Sequence, residues 1–138
     1  MTSNESIRRG RHVVSELYAH LVFVTKYRHA VFSGEHLERM ESIIREVCED
    51  FGVTLSEFNG ESNHVHLLVE YPPKAELSRL INSLKGVTSR LLRKEFPALA
   101  THYWRAKVLW SPSYYAGSAG GASLESVRRY IEGQSRPA

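Results

Sequence analysis

The sequence predicts an α+β fold of the ferredoxin-like kind, β-α-β-β-α-β, with an antiparallel sheet, two helices on one face and a further helix at the end. Three observations predict it. Residues 35–51 and 77–92 carry apolar side chains every three or four positions, the mark of amphipathic helices. Stretches rich in β-branched and aromatic residues lie before, between and after them. The 138 residues suit one domain, 1–138, and no internal repeat divides it.

Residues 1–12 form a basic arm, MTSNESIRRGRH, which lacks the apolar core of a secretory signal. ELYAHLVFVTKY (16–27) reads as the first strand. Ser33-Gly34 punctuates, and Leu37, Met40, Ile43, Ile44, Val47, Cys48 and Phe51 line one helical face until Gly52. VTLSEFN (53–59) is the second strand, Gly60 opens a turn, and HVHLLVEY (64–71) is the third, so the pair forms a hairpin. Pro72-Pro73 ends it. Leu77, Leu80, Ile81, Leu84, Val87, Leu91 and Leu92 mark the second helix as far as Pro97, with Gly86 inside it at about 1 kcal/mol against alanine. YWRAKVLWSPSYYA (103–116) contains the fourth strand, and Pro112 places it at an edge or bulge. GSAGGAS (117–123) reads as a flexible linker, and Ser123 as the cap of a last helix over 124–134.

Composition narrows the function classes. The hydrophobic fraction of 42% is too high for a disordered chain. No apolar run reaches the ~20 residues of a membrane span. Cys48 is the single cysteine, so no internal disulfide forms, which suits a reducing cytoplasm. Its helical spacing with Ile44 and Phe51 reads as a buried structural thiol. The net charge of +3 is unevenly spread: residues 34–51 hold six acids and two Lys/Arg, residues 74–95 six Lys/Arg and two acids. One side of the molecule is therefore suited to phosphates, although ordinary solvated faces give the same pattern.

The chemistry-bearing stretch is NHVHLLVE (63–70). Alternation puts His64, His66, Leu68 and Glu70 on one face of the strand and Val65, Leu67, Val69 and Tyr71 on the other. The second set is the core face, so the histidines point to the open face of the sheet. Imidazoles at i and i+2 can converge on one metal ion, yet two ligands are not a site, and two surface histidines give the same pattern. His20, His29 and His102 have no motif around them and read as surface residues. In the last helix Tyr130 and Gln134 are four apart and share a face, while Leu124, Val127 and Ile131 form a separate stripe for docking. A packing role for Tyr130 remains open on pattern alone.

Taken together, NHVHLLVE, HLVFVTKYR (20–28), LWSPSYY (109–115) and YIEGQ (130–134) resemble the single-tyrosine TnpA transposases of the HUH nuclease superfamily. These enzymes move small insertion sequences as single-stranded DNA. The resemblance spans residues 12–136. It implies that Tyr130 is the nucleophile, that His64, His66 and Gln134 hold one divalent cation, Mg²⁺ or Mn²⁺, and that Glu61, in the loop before the pair, supports the site. Tyr114 and Tyr115 are competing nucleophiles without a partner four residues on. It further implies a 5′-phosphotyrosine intermediate, subterminal DNA hairpins as partners, and a homodimer whose tyrosine helix can dock on the partner subunit. Expected phosphate contacts are Arg8, Arg9, Arg11, Lys26, Arg28, Lys74, Arg79, Arg90, Arg93 and Lys94, with Tyr27 and Trp104 as base-stacking residues. The alternatives are a domesticated relative acting on chromosomal hairpins and a non-catalytic hairpin-binding module on the same fold.

Overall fold

The computed structural model describes residues 8–9, 14–15 and 17–138. Strands β1 (Arg8–Arg9) and β2 (Val14–Ser15) pair as a small antiparallel ribbon, and Arg11 lies outside the described residues. The main sheet holds β3 (Leu17–Thr25), β4 (Thr54–Glu61), β5 (His64–Tyr71) and β6 (Trp110–Ala119). Its order is β4-β5-β3-β6 with every pair antiparallel, as the predicted pattern requires.

Helices α1 (Gly34–Asp50) and α2 (Leu77–Glu95) pack on one face. Leu21, Phe23, Val65, Leu67 and Val69 of the strands meet Leu37, Met40, Ile44, Leu80 and Leu84 of the helices in the main core. Ser33 caps α1 by accepting from the His36 amide at 3.4 Å, while the Ser33 amide donates to His36 Nδ1 at 3.0 Å. Gly52 follows the helix at φ +69°, where a side chain would be strained. Cys48 is buried within this core, and burial pushes its thiol up to about 12, so it stays an unreactive packing group.

Several boundaries differ from the sequence reading. The first strand stops at Thr25, and Lys26–Arg28 form a tight turn with Tyr27 and Arg28 at φ +62° and +58°. The residues before β6 hold a short helix, α3 (Pro97–His102), because Pro97 suits a helix start and Leu99 and Tyr103 find burial there. The fourth strand therefore begins at Trp110 and runs on through Gly117–Ala119, which the sequence assigned to a linker. Only Gly120-Gly121 separates it from α4 (Ala122–Glu132). Ser123 sits inside that helix, and its hydroxyl bonds both backbone groups of Gly120 instead of capping.

Helix α4 lies across the second face of the sheet. Its Leu124, Val127 and Ile131 stripe packs on Tyr18, Leu68 and Ala119. The face expected to be open is thus roofed by the helix that carries Tyr130.

Candidate active site

In register, Asn59 of β4, His66 of β5 and Val22 and Tyr115 of the next two strands stand side by side. His64 stands beside Glu61, and His20 beside Leu68. Cross-strand neighbours share a face, so these side chains all project beneath or beside α4. As a result His66 is only 5% exposed, not a surface histidine.

Each imidazole has one nitrogen committed. His64 Nδ1 lies 2.8 Å from the side-chain oxygen Oδ1 of Asn63, which can only accept, so this nitrogen carries the hydrogen. In the neutral ring His64 Nε2 then presents a lone pair, and it faces another, on Gln134 Oε1 at 3.1 Å. His66 Nδ1 lies 3.0 Å from His20 Nε2, with the two rings stacked at 5.2 Å. Among the described residues, His66 Nε2 is buried with no hydrogen-bond partner. Burial, followed by the neighbouring His64 and His20, outweighs the opposing pull of Glu61 and Gln134 and brings the His66 pKa down to about 4, so its ring is neutral at pH 7 and able to act as a ligand. Burial lowers His20 too.

Helix α4 ends two residues, about half a turn, earlier than the sequence suggests. It stops at Glu132, with Gly133 as its cap, so Gln134 follows the helix and does not share its face with Tyr130. Gln134 is held another way. Its Nε2 donates to the Tyr130 carbonyl at 3.3 Å, which turns Oε1 toward His64. Asn59 Nδ2 donates to the Ile131 carbonyl at 3.0 Å, one of the groups a helix end leaves unsatisfied, and to the Gln134 carbonyl just beyond the helix at 3.1 Å. Glu61 closes β4, where the sequence placed a loop, and its carboxylate accepts from the Ser135 amide at 2.9 Å. Arg128 of α4 pairs with Glu57 of β4 at 3.2 Å. The result leaves Tyr130 57% exposed, its ring edge-on to His66 at a centroid distance of 5.2 Å.

These donors fit a cation. Two acceptors 3.1 Å apart need a hydrogen or a cation between them, and two ligands each about 2.1 Å from one octahedral ion stand about 3.0 Å apart at right angles. The buried lone pair of His66 has the same need. Among the described residues no cluster of three or more histidine, cysteine or carboxylate side chains can hold a metal. The donor set here is instead two imidazoles and a carboxamide, all neutral.

Residues 13–134 match the family described as "Transposase IS200 like". The chain belongs to the IS200-like transposase family. It is 30% identical over 128 residues to the ISDra2 transposase TnpA of Deinococcus radiodurans, covering 93% of this chain and 91% of that one. It is 35% identical over 115 residues to the transposase for insertion sequence element IS200 of Salmonella typhimurium, covering 83% and 74% respectively. A crystal structure of a candidate transposase from Deinococcus radiodurans superposes with a TM-score of 0.76 at 30% identity, over 95% of this chain and 99% of that one. A REP-associated tyrosine transposase, solved with a REP hairpin, shares the fold at a TM-score of 0.56 and 13% identity, over 91% of this chain and 68% of that one. The chain is accordingly a DNA strand-transfer enzyme, and none of its described helices is long and apolar enough to cross a membrane.

In this IS200-like transposase the cationic residues gather in part. Lys26, Arg90 and Arg93 line a groove of about 540 Å³ between α2 and the start of β6, with Lys85 and Lys107, which the sequence reading did not select. Lys74, Arg79, Lys94 and Arg28 are exposed outside it. Arg8 and Arg9 are in β1. Tyr27 and Trp104 are 66% and 63% exposed, each with a cation over its ring, Lys26 and Arg105. Tyr114 and Tyr115 are exposed on β6, and Tyr115 stands edge-on to His20 at 5.6 Å. His29 and His102 do lie at the surface, 2.8 Å from each other. His20, Asn59 and Asn63 are the site residues that sequence reasoning missed. Alternation along the first strand puts His20 on the face of Tyr18 and Val22, a signal that becomes useful only once the partner strand and its register are known.

Proposed function

We propose that this transposase cleaves and rejoins single-stranded DNA at the ends of a mobile element, with Tyr130 as nucleophile and one divalent cation, Mg²⁺ or Mn²⁺, held by His64, His66 and Gln134. The observation that carries the proposal is the buried, partnerless Nε2 of His66 beside the His64–Gln134 acceptor pair, directly under the Tyr130 ring. A bound cation would supply positive charge to polarise the scissile phosphate and favour phenolate. Neutral ligands leave that charge undiminished.

Tyr130 Oη bonds to phosphorus, the bond from phosphorus to the 3′ oxygen breaks, and the proton lost by the phenol is balanced by the one gained at the new 3′-OH. The product is a 5′-phosphotyrosine, which keeps the ester's free energy. A 3′-OH then attacks the same phosphorus and releases Tyr130, so strands rejoin without ATP or water. Exposure of Tyr130 at the rim lets a strand reach it, while Asn59 and the Arg128–Glu57 pair hold its helix. Subterminal hairpins are the proposed substrates. The fold shared with the hairpin-bound REP-associated transposase and the cationic groove beside α2 support this. A homodimer exchanging its tyrosine helices also belongs to the proposal, with Gly120-Gly121 as the pivot. In the structure α4 sits on its own sheet.

The test is a denaturing gel with labelled single strands from the DNA flanking the gene, with Mn²⁺ or with chelator. Wild type is expected to give an SDS-resistant adduct only with Mn²⁺, and Tyr130→Phe none while still binding DNA. An adduct of equal yield from Tyr130→Phe removes Tyr130 as nucleophile. Hairpin binding without any adduct supports the non-catalytic module instead. A mixture of Tyr130→Phe and His66→Ala that recovers cleavage places the helix on the partner. A dead mixture keeps it on its own sheet.

A further inference from the structure

We infer that His20 is a positioning residue that fixes which nitrogen of His66 carries the hydrogen and thereby keeps His66 Nε2 available to a cation. The inference rests on reading His64, His66 and Gln134 as the cation's ligands. Two neutral imidazoles 3.0 Å apart share one hydrogen, and there are two ways to place it. If His66 Nδ1–H donates to His20 Nε2, His66 Nε2 holds a lone pair. If His20 Nε2–H donates instead, the hydrogen of His66 sits on Nε2, buried, with no well-formed hydrogen bond among the described residues and only a weaker interaction with Gln134. Only the first arrangement can take a cation without moving a proton. His20 is the one hydrogen-bond partner that the described residues give His66 Nδ1.

The structure builds a seat for His20. Its ring stacks on His66 at 25° between planes, and Tyr115 of β6 closes on it edge-to-face. Gly117 makes room for this, since a Cβ there would collide with the Tyr115 hydroxyl. His64 has its own counterpart in Asn63. Each imidazole thus has a partner on Nδ1 and leaves Nε2 for the cation, the arrangement in which outer hydrogen bonds orient metal-binding histidines.

Two measurements on the full chain without DNA test this. Nitrogen-15 NMR of the metal-free protein reads the His66 tautomer, and Mn²⁺ titration calorimetry reads affinity. Wild type is expected to hold its hydrogen on Nδ1. His20→Leu is expected to shift it to Nε2 and weaken Mn²⁺ binding about 10–100-fold. His20→Gln, whose amide oxygen can accept, is expected to restore both to within a few-fold. Wild-type His66 already protonated on Nε2 overturns the inference, whatever the variants do. So does unchanged affinity and tautomer in His20→Leu while His66→Ala abolishes binding, an outcome that leaves the ligand assignment standing. Unchanged binding in His66→Ala removes the ligand assignment itself, and the inference with it.

Discussion

His66 is a polar side chain buried in a place built for its neutral form. Its pKa is about 4 in the folded chain against 6.5 for a free histidine. Between those values the unfolded chain binds more protons than the folded one, so stability declines as pH falls from 6.5 toward 4 and levels off below. The full loss is about 3 kcal/mol. Urea unfolding of cation-free protein at pH 7, 5.5 and 4 is expected to show it, and His66→Leu to remove most of the slope. Burial of His20 and His36 acts in the same direction and leaves a remainder. A flat wild-type profile would contradict the assignment. The same residue shows what a sequence can express. His64, His66 and Tyr130 stand out as candidates because their spacing belongs to a recognisable pattern. The burial of His66 was not legible, because it depends on a helix some sixty positions later choosing that face of the sheet. His20 and Asn59 were invisible for a related reason: each acts across a strand or a helix end, and neither carries a local signature.

Among elements, the β4–β5 hairpin does most to place the site. Gly60, where the sequence places the opening of the turn, lies within β4, opposite Val65. A Cβ there would stand 2.6 Å from the His64 carbonyl and 2.8 Å from Val65 Cγ1. The first of these is backbone and cannot swing aside. Gly60→Ala is therefore expected to cost about 1–3 kcal/mol and to push His64 out of line with Gln134. Thermal unfolding and Mn²⁺ titration of the variant check both parts, and a variant that melts and binds like wild type would show the strand yields freely. Gly86, inside α2, is the contrasting case, since a Cβ there meets nothing within 4 Å. The two main helices were legible from period, and the four strands from their β-branched and aromatic content between turn residues. Where β6 begins was not, because residues 103–109 are as aromatic as a strand while Tyr103 is spent on burial, its hydroxyl donating to the Lys26 carbonyl at 2.8 Å. Gly117–Ala119 look like linker residues, yet small side chains are what the edge strand needs beneath α4 and beside Tyr115.

At the scale of the whole molecule the charges separate as the sequence suggested. Glu38, Glu41, Glu46 and Glu49 surround a shallow hollow on α1, whereas the α2–β6 groove carries five cations. Burial lowers the pKa of Lys85, whose ammonium is held by the Ser111 carbonyl at 2.8 Å. If the groove follows a DNA backbone, replacing Arg90 and Arg93 together by alanine should weaken binding alike for all sequences. It should also flatten the slope of log affinity against log salt by about 1.5. Fluorescence anisotropy from 50 to 300 mM salt measures this, and an unaltered slope would move the backbone path elsewhere.

The two faces of the sheet are held by very different amounts of apolar contact. The face under α1 and α2 seals a broad core, while α4 rests on Tyr18, Leu68 and Ala119 with Ile131 as its one fully buried anchor. One buried side chain of that size is worth about 1.5–3 kcal/mol, a fraction of what holds the rest together. Lifting α4 is consequently a far smaller event than melting the domain. Heat should silence the enzyme well before it erases the secondary structure. A sample that has been warmed and looks intact by circular dichroism is therefore no guarantee of a working catalyst, and the two thermometers should be read separately.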